Sequence, residues 1–349
     1  MATGGFGGAT GGATSNGGIV GSGGIVGNGG IVNAGGLPPN TGGVVGNTGG
    51  IGAGGGPDPG SGGFSASGGV PGSGATPGSG GDVVGTGGGV GTGSGAKVPE
   101  PSGECPSFKS GTQTIMGLST VIQAGNPGAA KGPLLFVWHG TGGNGAQGML
   151  QIPNSVKQDI TSKGGIIIAA SDNGQVREGA DVTFVLGVWY DVADLKFSDQ
   201  IAACAVKNNN IDPNQIYTTG CSAGGLMTGT MMLKRSSYIA AAAPNSGGLA
   251  VGGVAPQDPN HVPPVLCMHG GSTDNVVINF GDASATLETI TKGKSMTVDC
   301  NHNSGHCGAP AALYESAWTF MKAHPFNVGE SPYKGGLPAG FPQYCKIVQ

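Results

Sequence analysis

Gln215-Ile216-Tyr217-Thr218-Thr219-Gly220-Cys221-Ser222-Ala223-Gly224-Gly225 is the stretch that organises the rest of the chain. Its first part, Ile216 to Thr219, is a β-branched and aromatic run of the kind that forms a short buried strand. Gly220-Cys221-Ser222-Ala223-Gly224 follows, and the apolar run Leu226 to Leu233 is expected to continue as a helix. Strand, G-x-S-x-G and helix in that order place the serine on a strained turn, its hydroxyl presented at the strand end. The flanking glycines have a steric reason, because a Cβ at Gly220 or Gly224 would crowd that turn. Outside such a context the same motif is often only a Gly-Ser turn.

The neighbouring segments supply a sheet for this strand. Thr112 to Met116 and Thr120 to Ala124 alternate around Gly117 and predict an antiparallel hairpin. Pro133 to Trp138 and Gly165 to Ala170 are continuous apolar runs of the sort buried in parallel sheets. A helix is expected from about Asp191 to Lys207, with acidic residues in its first turn. Asn208 to Pro213 closes it, Gln215 begins the strand before the serine, and Tyr238 to Ala243 and Val265 to Met268 read as two later strands. Strands alternating with helices imply an α/β fold, a mainly parallel sheet wrapped on both faces. With the serine turn included, the expectation is an α/β-hydrolase fold.

The chemistry expected of such a turn names its partners. His139-Gly140-Thr141-Gly142-Gly143 follows an early strand, where a Gly-rich loop lets backbone N–H groups reach a developing oxyanion. Thr141 and Ala223 are the expected donors, although a plain Gly-rich turn is the simpler reading of the loop. Asp274 lies just past the strand Val265 to Met268, where a carboxylate can orient a histidine. His269 is read as a structural histidine. In this fold the histidine follows the acid, which leaves His302 and His306, and His306 is preferred because it precedes a helix marked by Leu313, Ala317, Phe320 and Met321. Cys300, His302, His306 and Cys307 could also be read as a metal set, but the expectation is no metal and no cofactor.

Composition bounds the rest. The chain has 349 residues, 76 of them glycine, mostly in the first third. Gly17-Gly18-Ile19-Val20-Gly21-Ser22 begins a short repeat, continued in Gly23-Gly24-Ile25-Val26-Gly27-Asn28. With almost no charges or aromatics, residues 1–101 cannot bury enough surface to offset backbone entropy, and a disordered linker is expected there. Residues 102–349 are expected to form one catalytic domain. A net charge of −4 without a Lys/Arg cluster argues against nucleic acid as a partner. No apolar run is long enough to span a bilayer, and a monomer is expected. Seven cysteines suggest an oxidising compartment. A secreted protein is therefore expected, although the start of this chain carries no visible signal peptide.

Trp189-Tyr190, Asp194 and Asn210 to Gly225, with His139-Gly140-Thr141-Gly142-Gly143 and His269-Gly270-Gly271-Ser272-Thr273-Asp274, resemble the polyhydroxybutyrate-depolymerase and feruloyl-esterase family of secreted α/β-hydrolases. The resemblance covers about Cys105 to Phe326. It implies that Trp189 lies by the substrate cleft, although a core tryptophan is the alternative. Cys221-Ser222, Asp274 and His306-Cys307 also resemble tannases and fungal feruloyl esterases, which implies a disulfide between Cys221 and Cys307 and favours His306 over His302. The interval between Ser222 and Asp274 is too short for the lid domain of tannases. Cys105, Cys204, Cys267, Cys300 and Cys345 would then allow two further bridges and one free thiol. A Cys105–Cys345 bridge would staple the domain ends, with Cys204 and Cys267 as small buried hydrophobes.

The expectation is a serine esterase with Ser222 as nucleophile, His306 as base and Asp274 as its orienting acid. The resemblance implies an ester substrate, a hydroxycinnamate on plant polysaccharide or a polyester. A serine peptidase and a non-catalytic cell-surface module on the same fold are the alternatives.

Overall fold

The computed structural model describes residues 95–172, 191–250 and 252–349, all within the compact unit Asp82–Gln349. Trp189 and residues 1–94 of the Gly-rich arm lie outside the described residues. Strands β1 (Gly111–Ile115) and β2 (Leu118–Ala124) pair as an antiparallel hairpin. Met116 and Gly117 make its turn, both at positive φ (48° and 81°), as a tight turn matched to strand twist requires.

Strands β3 (Gly132–Trp138), β4 (Ile166–Ala170), β5 (Ile211–Cys221), β6 (Ala241–Asn245), β7 (Val265–His269) and β8 (Thr297–Asn301) are joined by parallel pairings. A short β9 (Cys345–Ile347) closes antiparallel on β8. The sheet order is β1-β2-β4-β3-β5-β6-β7-β8-β9. The strand expected from Tyr238 starts only at Ala241. The N–H groups of Tyr238 and Ile239 donate back to the Arg235 carbonyl (3.0 and 2.9 Å), which spends those residues on closing the preceding helix.

Period-two alternation on the central strands feeds two cores. Leu134, Phe136 and Trp138 of β3 and Ile166 and Ile168 of β4 face one side. There they meet α3 (Asp191–Asn208), α4 (Ala223–Lys234) and α5 (Phe280–Thr291) through residues such as Phe197, Ile201, Met227, Met231 and Leu287. Leu135, Val137, Ile167, Ala169 and Tyr217 face the other side. They pack on α1 (Gly145–Gln151), α2 (Asn154–Ser162) and α6 (Ala311–Ala323) through Met149, Val156, Ile160, Leu313 and Phe320. No helix among the described residues is long and apolar enough to cross a membrane.

Three disulfides join Cys105 to Cys204, Cys221 to Cys307 and Cys300 to Cys345, and Cys267 is a buried free thiol. The Cys105–Cys345 bridge expected from position in the chain is not formed. Cys345 stands directly opposite Cys300 in the β8–β9 ladder, with Cα atoms 4.0 Å apart. Cys204 is not a spare hydrophobe, because residues 102–105 lie along α3. Gln200, one turn before Cys204, accepts from Ser102 N–H (2.7 Å) and donates to the Gly103 and Glu104 carbonyls (3.1 Å each).

Candidate active site

Ser222 joins the end of β5 to the start of α4 with φ 61° and ψ −124°. A non-glycine residue there is strained, and the surroundings hold it in place. Its N–H donates to the Asn245 carbonyl (3.2 Å) and its carbonyl accepts from Leu226 N–H (2.9 Å). The glycines of the motif are set by backbone contact. A Cβ at Gly220 would lie 2.5 Å from the Trp138 carbonyl oxygen, and one at Gly224 only 2.0 Å from it. The Ser222 side chain makes no capping bond to α4, so its hydroxyl remains available to a partner off the helix.

That partner is His306. Its Nε2 lies 2.9 Å from Ser222 Oγ and its Nδ1 lies 2.7 Å from Asp274 Oδ1. Asp274 is fully buried, and its second oxygen accepts the Gly270 N–H at 2.8 Å. Both carboxylate oxygens are thus occupied, which suits a carboxylate holding one imidazole tautomer. With Nδ1–H donated to Asp274, Nε2 carries the lone pair that faces the serine hydroxyl. Phe280 packs on the His306 ring with centroids 4.5 Å apart and limits its rotation. His302, the other candidate, accepts the Ser304 N–H at Nδ1 (3.2 Å). His269 meets Asp299 (2.9 Å) and accepts the Gly271 N–H at Nδ1 (3.2 Å), an arrangement that braces the loop carrying Asp274.

The loop after β3 lies against the serine. A Cβ at Gly140 would fall 3.0 Å from Ser222 Cβ, so the Gly140–Thr141 backbone passes beside the hydroxyl. Thr141 sits in the exposed turn that follows. The loop is braced by His139, which is buried. His139 Nε2 accepts the Asp172 N–H (3.1 Å), and Nδ1 pairs with the Gly140 carbonyl (2.8 Å) as its donor. Burial holds the His139 pKa below the ordinary histidine value, which keeps that ring neutral. On the other side, Ala223 opens α4, where an N–H has no acceptor within the helix and the helix dipole favours negative charge.

Cys221 and Cys307 are bonded, their Cα atoms 5.8 Å apart. The structure therefore brings together Ser222, Asp274, His306 and the two cysteines, with Thr141 in the turn after β3 and Ala223 at the head of α4 beside them. Trp189 lies outside the described residues.

Solved structures of other proteins share the fold of this chain. The protein called sOPH superposes with a TM-score of 0.55 at 18% identity, covering 72% of this chain and 96% of its own. The protein called pOPH gives 0.56 at 17%, covering 72% and 97%. A serine-to-alanine variant of pOPH in complex with pNPB gives 0.55 at 16%, covering 71% and 97%. The chain has the α/β-hydrolase fold. A family model described as the prolyl oligopeptidase family matches residues 154–251, which include Ser222 and end before Asp274 and His306. A search of curated protein sequences finds no match.

Sequence reasoning missed four residues at this site. Asn245 holds the Ser222 N–H and donates its side-chain amide to Tyr314 Oη (2.8 Å), and Ser246 Oγ accepts the Cys307 N–H (2.8 Å). Phe280 is the fourth. The only sequence signal for Asn245 and Ser246 is the polar Asn245-Ser246-Gly247-Gly248 break after an alanine-rich strand, at the carboxyl edge of the sheet, where ligands bind in α/β folds.

Proposed function

We propose that this protein is a secreted serine hydrolase that cleaves carboxylic esters by acyl transfer. The observation that carries the reading is the continuous relay Asp274–His306–Ser222, at 2.7 and 2.9 Å, on a strained turn at the head of α4. Ser222 Oγ attacks the ester carbonyl as His306 Nε2 takes its proton, and Asp274 stabilises the imidazolium. The Ala223 N–H and the Thr141 backbone receive the oxyanion. His306 then returns the proton to the leaving alkoxide, and water repeats the sequence to release the acid. Three disulfides support an oxidising, extracellular setting. The resemblance to feruloyl esterases and polyhydroxybutyrate depolymerases puts hydroxycinnamate and short polyester esters first among substrates. A simple short-chain ester, p-nitrophenyl butyrate, completes the assay set.

A peptidase is the second reading, favoured by the prolyl oligopeptidase match over residues 154–251. The test is fluorophosphonate labelling with peptide mapping, followed by turnover of methyl ferulate, p-nitrophenyl butyrate and a prolyl amide. Labelling at Ser222, ester turnover and its loss in Ser222→Ala are expected. Amide turnover exceeding ester turnover would replace the first reading by the second. Folded protein that neither labels nor turns over would overturn both.

A further inference from the structure

The two halves of the relay are built on distant parts of the chain, yet both return to the carboxyl end of β6. Asn245 accepts the Ser222 N–H through its carbonyl (3.2 Å), and the next residue, Ser246, accepts the Cys307 N–H through Oγ (2.8 Å). Cys307 directly follows His306, so that bond fixes the backbone from which the imidazole projects. The segment itself is held firmly. Ser246 N–H donates to the Met268 carbonyl (2.7 Å) and the Asn245 amide to Tyr314 Oη (2.8 Å). A Cβ on Gly225 would lie 2.5 Å from the Asn245 carbonyl oxygen, so β6 and the first turn of α4 are in backbone contact. Asn245 and Ser246 are both fully buried.

Ser246 also has φ 41°, the left-handed region that a non-glycine residue occupies at a cost. Glycine would serve the backbone better at this position. The hydroxyl is what glycine lacks.

We propose that Asn245–Ser246 is a positioning element for the proposed acyl transfer, with Ser246 Oγ setting the His306 backbone relative to Ser222. This rests on the reading of Ser222 as the nucleophile. The element acts on the same Cys307 backbone as the Cys221–Cys307 disulfide, so the two ties back each other up. Loss of both should cost more than the product of the separate losses.

The experiment uses the full chain carrying Ser246→Gly, Ser246→Ala, the paired Cys221→Ala and Cys307→Ala changes, and Ser246→Gly combined with that pair. Fluorophosphonate mapping on the unchanged chain comes first, and failure there to label Ser222 would sink the underlying hydrolase reading and this proposal with it. With labelling established, kcat and KM for p-nitrophenyl butyrate and the thermal midpoint are measured. Ser246→Gly relieves the positive φ but leaves the Cys307 N–H without its acceptor, two effects of opposite sign, so its midpoint should lie above that of Ser246→Ala, which keeps the strain and loses the same bond. Its kcat should still fall about tenfold with KM within about twofold, the pattern of a displaced catalytic pair. Ser246→Ala, which keeps the Cβ but not the acceptor, should show the same fall in kcat. Unchanged kcat in either Ser246 variant, or losses that simply multiply in the combined variant, would overturn the proposal.

Discussion

Cys221 and Cys307 are joined by a disulfide, and each is the immediate neighbour of one partner in the Ser222–His306 hydrogen bond. The bridge spans a sequence separation of 86 residues. Closing a loop of that length restricts the unfolded chain by on the order of 4 kcal/mol. The same bond limits drift between two backbones whose relative displacement by about 1 Å can cost roughly a hundredfold in rate. Replacing both cysteines with alanine is expected to lower the thermal midpoint and to lower kcat at temperatures where the variant is still folded. Calorimetry and initial rates on the same sample separate the two effects. Wild-type kcat in a variant with a lowered midpoint would make the bridge purely a stabiliser.

Asp274→Asn tests the direction of the relay. The carboxylate accepts two hydrogen bonds, from Gly270 N–H and from His306 Nδ1–H. An asparagine can keep only one of them as acceptor, and its amide would face Nδ1 as a donor. The imidazole then places its proton on Nε2, where it opposes Ser222 Oγ rather than receiving from it. A kcat loss of about 10⁴ is expected from that tautomer reversal. The midpoint should fall far less than for Asp274→Ala, which would strand the Gly270 N–H. Near-normal turnover in Asp274→Asn would remove Asp274 from the mechanism.

Much of this architecture is legible in the residues because its signals are local. The run Ile216 to Gly225 encodes a strand, a strained serine and a helix, and the glycine spacing reports backbone contacts that only glycine permits. The apolar runs of β3 and β4 are buried on both faces, so their composition is as clear as their position. What was illegible depends on chain-distant geometry. Cys105 reaches Cys204 because Gln200 draws residues 102–105 along α3, and Cys345 reaches Cys300 because a three-residue strand adds to the sheet edge. Ser246 is an ordinary serine in sequence, and its role exists only through a bond to a residue on another loop.

The elbow glycines carry a steric prediction that needs no assay of activity. Gly224→Ala would put a Cβ 2.0 Å from the Trp138 carbonyl oxygen, and Gly220→Ala 2.5 Å from the same atom. Both obstacles are backbone inside the sheet and cannot swing aside. A loss of about 3 kcal/mol is expected for each, or failure to accumulate as soluble protein. Gly128→Ala is the control, since its nearest neighbour is 4.0 Å away, and it should change stability by less than about 0.5 kcal/mol. Urea midpoints for the three variants decide it, and a Gly224→Ala variant as stable as the control would contradict the packing described.

Behind the loop that carries Asp274, Glu288 on α5 lines a cleft of about 350 Å³ with His269, Asp282 and Asp299. Burial, and then the nearby Asp299 charge, push the Glu288 carboxyl from the ordinary value of 4.5 up to about 7. Burial works against a charge on His269, but the hydrogen bond and charge of Asp299 outweigh it, and the His269 pKa shifts upward too. For both groups the native state holds its proton more tightly than the unfolded chain. The stabilisation is therefore complete at low pH, and it is lost as pH rises, from about 4.5 to about 7 for Glu288. Glu288→Gln keeps a neutral side chain at every pH, so it should match the parent near pH 4.5 and be more stable than it at about pH 8. Thermal midpoints at those two pH values test this, and parallel curves for parent and variant would show that Glu288 does not titrate in that window. The buried His139 responds in the opposite sense, since burial depresses its pKa, and protonation would break its acceptor bond from Asp172 N–H. Stability is thus expected to fall toward either side, through Glu288 and His269 as pH rises and through His139 on acidification.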